Sequence, residues 1–153
     1  MNAFYSISSN IKNILINSDL LDNVKFVDAL ESSLIPNPIK KIYVSFEISS
    51  AQVTGGVFSG YIGKNTDEEL YGKLADINIG IKIYSPYSIG SNACYDVFSN
   101  ICEVLLKSSD ENLNIQSICS EKVYYDVNTS NFILNCTVKI TTLVGFKKSI
   151  TSV

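Results

Sequence analysis

Histidine, arginine and tryptophan are absent from the 153-residue chain, and all 12 basic residues are lysine. Without histidine, the chain loses the commonest general base near neutral pH and the commonest zinc ligand. Without arginine, it has no planar fork to clamp phosphate or carboxylate with two parallel bonds. A serine or cysteine nucleophile would have to recruit Lys, Asp or Glu as its base, and no local pattern suggests one. No apolar run approaches the ~20 residues a membrane-spanning helix needs. The N-terminus, MNAFYSISSNIKNILINSD, has no basic stretch followed by an apolar block, so it does not read as a signal peptide. The net charge is −3 with no basic face in the sequence, which argues against nucleic-acid readout. These absences set the expectation of a soluble, intracellular protein that is not an enzyme, with no cofactor and no metal.

What is present fits one domain. Apolar residues make up 46% and charged residues 18%, enough to build a core and too few charges for disorder. The four cysteines are Cys94, Cys102, Cys119 and Cys136, with no C-x-x-C pair to suggest zinc. Cys94 and Cys102 fall on one expected helix, where eight residues rise about 12 Å, too far for a disulfide. Cys119 and Cys136 fall on expected strands and are read as facing the core. All four are expected to be reduced, acting as small apolar residues.

The apolar pattern places the elements. Phe4, Ile7, Ile11, Ile14 and Leu15 form a helical stripe over 4–18. Residues 19–35 leave two readings open: a second helical stretch, or a short strand around Lys25–Val27 followed by a turn. Pro36-Asn37-Pro38 is a break. Ile42, Val44, Phe46 and Ile48 then alternate with polar residues and Tyr43 as a first strand. Gly55-Gly56 suits a hairpin turn, 57–62 the returning strand, and 63–72 an exposed loop. The cleanest alternation is KLADINIGIKIYSP, with Ile77, Ile79, Ile81 and Ile83 on one face. Ser91 is a helix-cap candidate, and 92–107 reads as a helix with Cys94, Val97, Phe98, Ile101, Val104 and Leu105 on its apolar side. Strands 118–127 and 132–144 read as a closing hairpin, with Val127 facing Phe132, Val123 facing Cys136 and Cys119 facing Ile140. The segment 146–153 is expected to be loosely held. The whole chain, 1–153, therefore reads as one α+β domain: a mostly antiparallel sheet, two helices on one face, and a long Gly-rich hairpin and loop.

The Gly-rich stretch offers motifs that fail. GYIGKN resembles a phosphate loop, but Phe58 and Asn65 stand where that loop needs Gly and Ser or Thr. Asp67-Glu68-Glu69 lacks the alternating oxygen spacing of a calcium loop and reads as a solvated face. Gly55, Gly56, Phe58, Tyr61, Lys64, Asp67, Glu68, Glu69 and Tyr71 remain as a candidate protein-interface arm. Tyrosine suits that role because it presents apolar area with a polar tip.

A short N-terminal helix is followed by PNPIKKIYVSFEI entering a sheet and by the Gly-rich stretch. KLADINIGIKIYSPYSIGSNACYDVFSNICEVL and the closing hairpin VYYDVNTSNFILNCTVKITT complete the series. Over roughly 4–144 this order resembles the tail terminator, or tail completion, proteins of bacteriophages and phage-tail-like bacteriocins. The resemblance implies a homo-hexameric ring that caps the head-proximal end of the tail tube. Its partners would be the tail tube protein and, in some particles, the sheath or head–tail connector proteins. It would assemble in the bacterial cytoplasm and remain in the particle, with no catalytic residue, cofactor, nucleic-acid readout or membrane. Two alternatives stay open. One is another neck or tube-initiating component of such a particle. The other is a small-ligand-binding module lined by Tyr43, Tyr84 and Tyr124.

Overall fold

The computed structural model describes residues 3–28, 38–54, 61–65, 67–108 and 113–149. In chain order these form α1 (Ala3–Ile16), a short 3-10 turn (Asp19–Leu21), β1 (Val24–Asp28), β2 (Ile42–Thr54), β3 (Tyr61–Lys64) and β4 (Glu68–Pro86). Then follow α2 (Asn92–Lys107), β5 (Asn114–Ser120), β6 (Tyr124–Asp126) and β7 (Asn131–Ser149). The strands make one seven-stranded sheet in the order β1-β2-β4-β7-β5, with β3 added on β4 and β6 on β7. Every pairing is antiparallel except β1 with β2. The fold is α+β, with a mostly antiparallel sheet and two helices on one face. Of the two readings for 19–35, the strand near Lys25–Val27 is the one realised; residues 29–35 lie outside the described residues.

The core follows from the isoleucine alternation. Ile77, Ile79, Ile81 and Ile83 stand directly opposite Ile140, Val138, Cys136 and Leu134 on β7. On the other side, Ile83 and Ile81 face Val44 and Phe46 of β2. All of these are buried, and each large side chain contributes roughly 1.5–3 kcal/mol by leaving water. The helices close this face. Ile11 and Leu15 of α1 are fully buried, and Phe4, Ile7 and Ile14 pack partly against the same cluster. From α2, Cys94, Val97, Ile101, Val104 and Leu105 are buried. Gly90, at φ +98°, makes the turn into α2, and the Ser85 hydroxyl donates to its carbonyl at 2.8 Å. Ser91 occupies the cap position, as expected, but its side chain makes no capping hydrogen bond.

The closing hairpin differs from the expected register. The Asp126 carboxylate accepts the Asn128 N–H at 3.1 Å and the Thr129 hydroxyl at 2.7 Å, and Ser130 takes a positive φ of 56°. This four-residue turn closes at Asp126 opposite Asn131, so Tyr125 rather than Val127 faces Phe132. The expected strand 118–127 is also broken over 121–123, where the Val123 N–H donates to the Tyr95 hydroxyl. Ser120 therefore faces Cys136, and Ile115 faces Ile140. Ile115 and Ile118 pack against the core, while Cys119 is exposed, contrary to its expected core position.

All four cysteines are free thiols. Burial pushes Cys94 up to about 11 and Cys136 up to about 12, so both stay protonated near neutral pH. A maleimide at pH 8 is expected to label Cys119 rapidly and to reach Cys94 and Cys136 only on unfolding, as read by peptide mass mapping. Rapid labelling of Cys136 in the folded protein would contradict this packing.

Candidate interaction surface

β4 and β7 are each 19 residues long and pair from Glu68–Ser149 to Pro86–Asn131. The helix-covered core needs only part of that length. Residues 47–54 of β2 are all exposed, although they remain paired with β4 to Thr54–Leu74. Residues 47–54 are thus an exposed margin beside the still-buried Ala75, Ile77 and Ile79, and past Leu74 the sheet continues as a ribbon of β4 and β7, with β3 following β2 along the same side of β4. Side-chain bonds tie the strands of the margin together: Thr141 to Asp76 at 2.6 Å, Asn78 to Ser50 at 2.7 Å, and Thr54 to the Leu74 carbonyl at 3.2 Å.

Two expectations change here. The segment 63–72 is not a loop. Asn65 accepts the N–H groups of Asp67 and Glu68 at 3.2 and 2.8 Å, turning the chain tightly from β3 into β4. Nor is 146–149 loosely held, because it pairs with 68–71; residues 150–153 lie outside the described residues. Gly145 permits the close approach, since a Cβ there would lie 3.0 Å from the Tyr71 carbonyl oxygen.

The hairpin gathers six of the sequence-predicted interface residues: Tyr61, Lys64, Asp67, Glu68, Glu69 and Tyr71. The Tyr61 and Tyr71 rings meet edge to face at 5.7 Å. Tyr61 is half exposed. The Tyr71 hydroxyl donates to Glu69 at 2.8 Å, and that bond, with some burial, raises the phenol above its ordinary range. Glu69 stands in register with Lys64 on one side and Lys148 on the other. Glu68 and Glu69 therefore open β4, Glu69 between two lysine positions, while Asp67 stays in the turn. Gly55, Gly56 and Phe58, with the expected Gly55-Gly56 turn, lie outside the described residues. Of the expected returning strand 57–62, residues 57–60 also lie outside the described residues, and its end is corrected: Tyr61 opens β3, which among the described residues pairs with β4.

Sequence reasoning missed Leu74 and Leu143. They stand directly opposite one another, and each is 56% exposed. Both fall out of phase with their strand's buried set, Leu74 among Asp76 and Asn78, Leu143 beside Thr141. That places them on the helix-free face. A leucine in the polar phase of a strand was the available signal. Val53, 47% exposed, adds apolar surface at the β2 margin.

The other tyrosines serve differently. Tyr43, Tyr84 and Tyr124 share one row across the helix-free face, with Ile133 between the last two. Tyr43 is only 4% exposed and packs with Val27, Ile39 and Tyr84 as a small second core. Among the described residues, no three Cys, Asp or Glu side chains gather as a metal site, and no helix is long and apolar enough to cross a membrane.

Compared with known proteins, the chain matches no family model and no curated protein.

Proposed function

We propose that this protein is a structural assembly subunit of a phage or phage-tail-like particle. In this reading it acts as a tail terminator, a hexameric ring on the head-proximal end of the tail tube that meets the sheath where one exists. It carries no catalysis and needs no cofactor. The observation that supports this best is the ribbon. A monomer gains nothing by extending strands past its core and holding Leu74 and Leu143 half in water, whereas a subunit that packs on other proteins does. The element order adds the resemblance to terminators. The leucine pair on the helix-free face and the hairpin tyrosines on the opposite face then offer two contact surfaces, for the tube and for a neighbouring subunit.

The test is particle assembly with and without the protein. Without it, tubes are expected to run past their normal length, and supplying the chain restores the length distribution seen by electron microscopy. Tubes of normal length in its absence would defeat the reading. A label found at the baseplate end would assign the chain to tube initiation instead.

A further inference from the structure

The end of the sheet opposite the β3–β4 hairpin carries another exposed aromatic group. β4 ends at Pro86 in register with Asn131, where β7 begins, and Asp126 of β6 is in register with the same Asn131. The turn from β4 into α2 and the turn from β6 into β7 therefore lie at one end of the molecule. There the Tyr87 ring stacks on Phe132 at 6.1 Å and meets Tyr125 edge to face at 6.0 Å, while Tyr125 tilts against Phe132 at 5.2 Å. Phe132 packs partly on the core, but Tyr87 is 71% exposed and Tyr125 42%. Ile89 and Val127, in the same two turns, are 47% and 78% exposed. With β4 19 residues long, this patch stands roughly 60 Å from the hairpin.

We propose that this patch is a further docking surface and that its partner is an uncharged surface of another protein. This rests on the ring reading above: the partner is the particle protein that follows the ring, on the side away from the hairpin. The two turns have the make-up of protein-recognising loops. YSPYSIGSN over 84–92 and YYDVNTSN over 124–131 are dominated by Tyr, Ser, Asn and Gly. Tyrosine supplies a large, rigid, amphipathic contact at low entropy cost, and Ser, Asn and Gly supply adaptable hydrogen bonding.

Charge decides the kind of partner. The one charged residue in these two segments is Asp126, and its carboxylate is engaged within its own turn by the Asn128 N–H and the Thr129 hydroxyl. Lys40 and Lys41 precede β2, on the far side of β4 from β6 and β7. An uncharged surface complements an uncharged patch, whereas a nucleic acid or an anionic membrane would call for cations in it. A sugar ring stacks best on a broad flat aromatic face, and here Tyr125 stands at 57° to Phe132 and 69° to Tyr87.

The experiment compares wild-type protein with the double variant Tyr87→Ser/Tyr125→Ser on purified tail tubes. The variant should cap tubes normally, because the hairpin and the Leu74–Leu143 pair are untouched. Tubes capped with wild-type protein should then bind the purified particle protein that wild-type particles carry beyond the ring, and tubes capped with the variant should bind it at least roughly tenfold more weakly. Wild-type binding should change little between about 0.05 and 0.5 M salt, since no exposed charge pair carries it. Val127→Asp puts a charge on the most exposed of the four side chains, outside the ring contacts, and should weaken binding in the same way with an unchanged thermal melt. This second variant decides the matter if the first does not fold. Undiminished binding by either folded variant, a steep loss with salt, or a patch that instead pairs two copies of the chain or holds DNA or a glycan, overturns the docking proposal and leaves the ring reading standing. Wild-type protein that does not cap tubes overturns both.

Discussion

Truncating Ile79 to alanine is expected to lower the free energy of unfolding by about 2–5 kcal/mol, the usual range for emptying a fully buried aliphatic site. Ile79 is wholly buried at the middle of β4, the central strand, between Ile48 on β2 and Val138 on β7. The buried Val138 and the helix residues of the same core cluster pack around it, so the site has little room to collapse on that face. Typical domains are stable by only about 5–15 kcal/mol, so the variant should lose a large share of its margin. Urea unfolding gives the measurement, as a lower midpoint at unchanged slope. A loss of only a few tenths of a kcal/mol would mean that Ile79 is not in the core described.

The double variant Leu74→Ser with Leu143→Ser should show the opposite pattern: nearly normal stability and failed assembly. Both leucines are already more than half exposed, so folding gains little from them. Burying a leucine against a partner contributes up to roughly 1.5–3 kcal/mol. If the protein caps tubes as proposed, losing two such contacts should weaken its association with tube ends by roughly 100-fold or more, since each 1.4 kcal/mol is tenfold. Co-sedimentation with purified tubes, beside a thermal melt of the free protein, separates the two effects. Undiminished capping would remove the leucine pair from the contact surface. A large drop in melting temperature would show that the pair serves the fold.

These two variants also mark where sequence reasoning succeeded and where it stopped. The Ile77–Ile83 alternation and the stripe on α2 were legible because each has one buried face, and burial writes a period of two or 3.6 into the sequence. Leu74 and Leu143 were not legible as a pair, because they meet only through the long-range register of β4 with β7. Glu68 and Glu69 looked like a loop because strand preference disfavours acids. The lysine positions beside Glu69 come from β3, across a tight turn, and from the C-terminal end of β7, far away in sequence. The final hairpin slipped in register because apolar matching alone cannot place a turn. The Asp126 carboxylate closed it on four residues, and Cys119 was left in water.

The sequence by itself determined the class of fold, both helices, the core strands and the absence of histidine and arginine chemistry. Those rest on local periodicity and on composition, which need no knowledge of distant partners. Only the tertiary structure decided that the strands outrun the core, that β1 joins in parallel, and that the 61–71 region is a hairpin continued by the C-terminal strand. Each of those depends on which backbone edge meets which, and backbone hydrogen bonding between distant segments leaves little trace in side-chain identity.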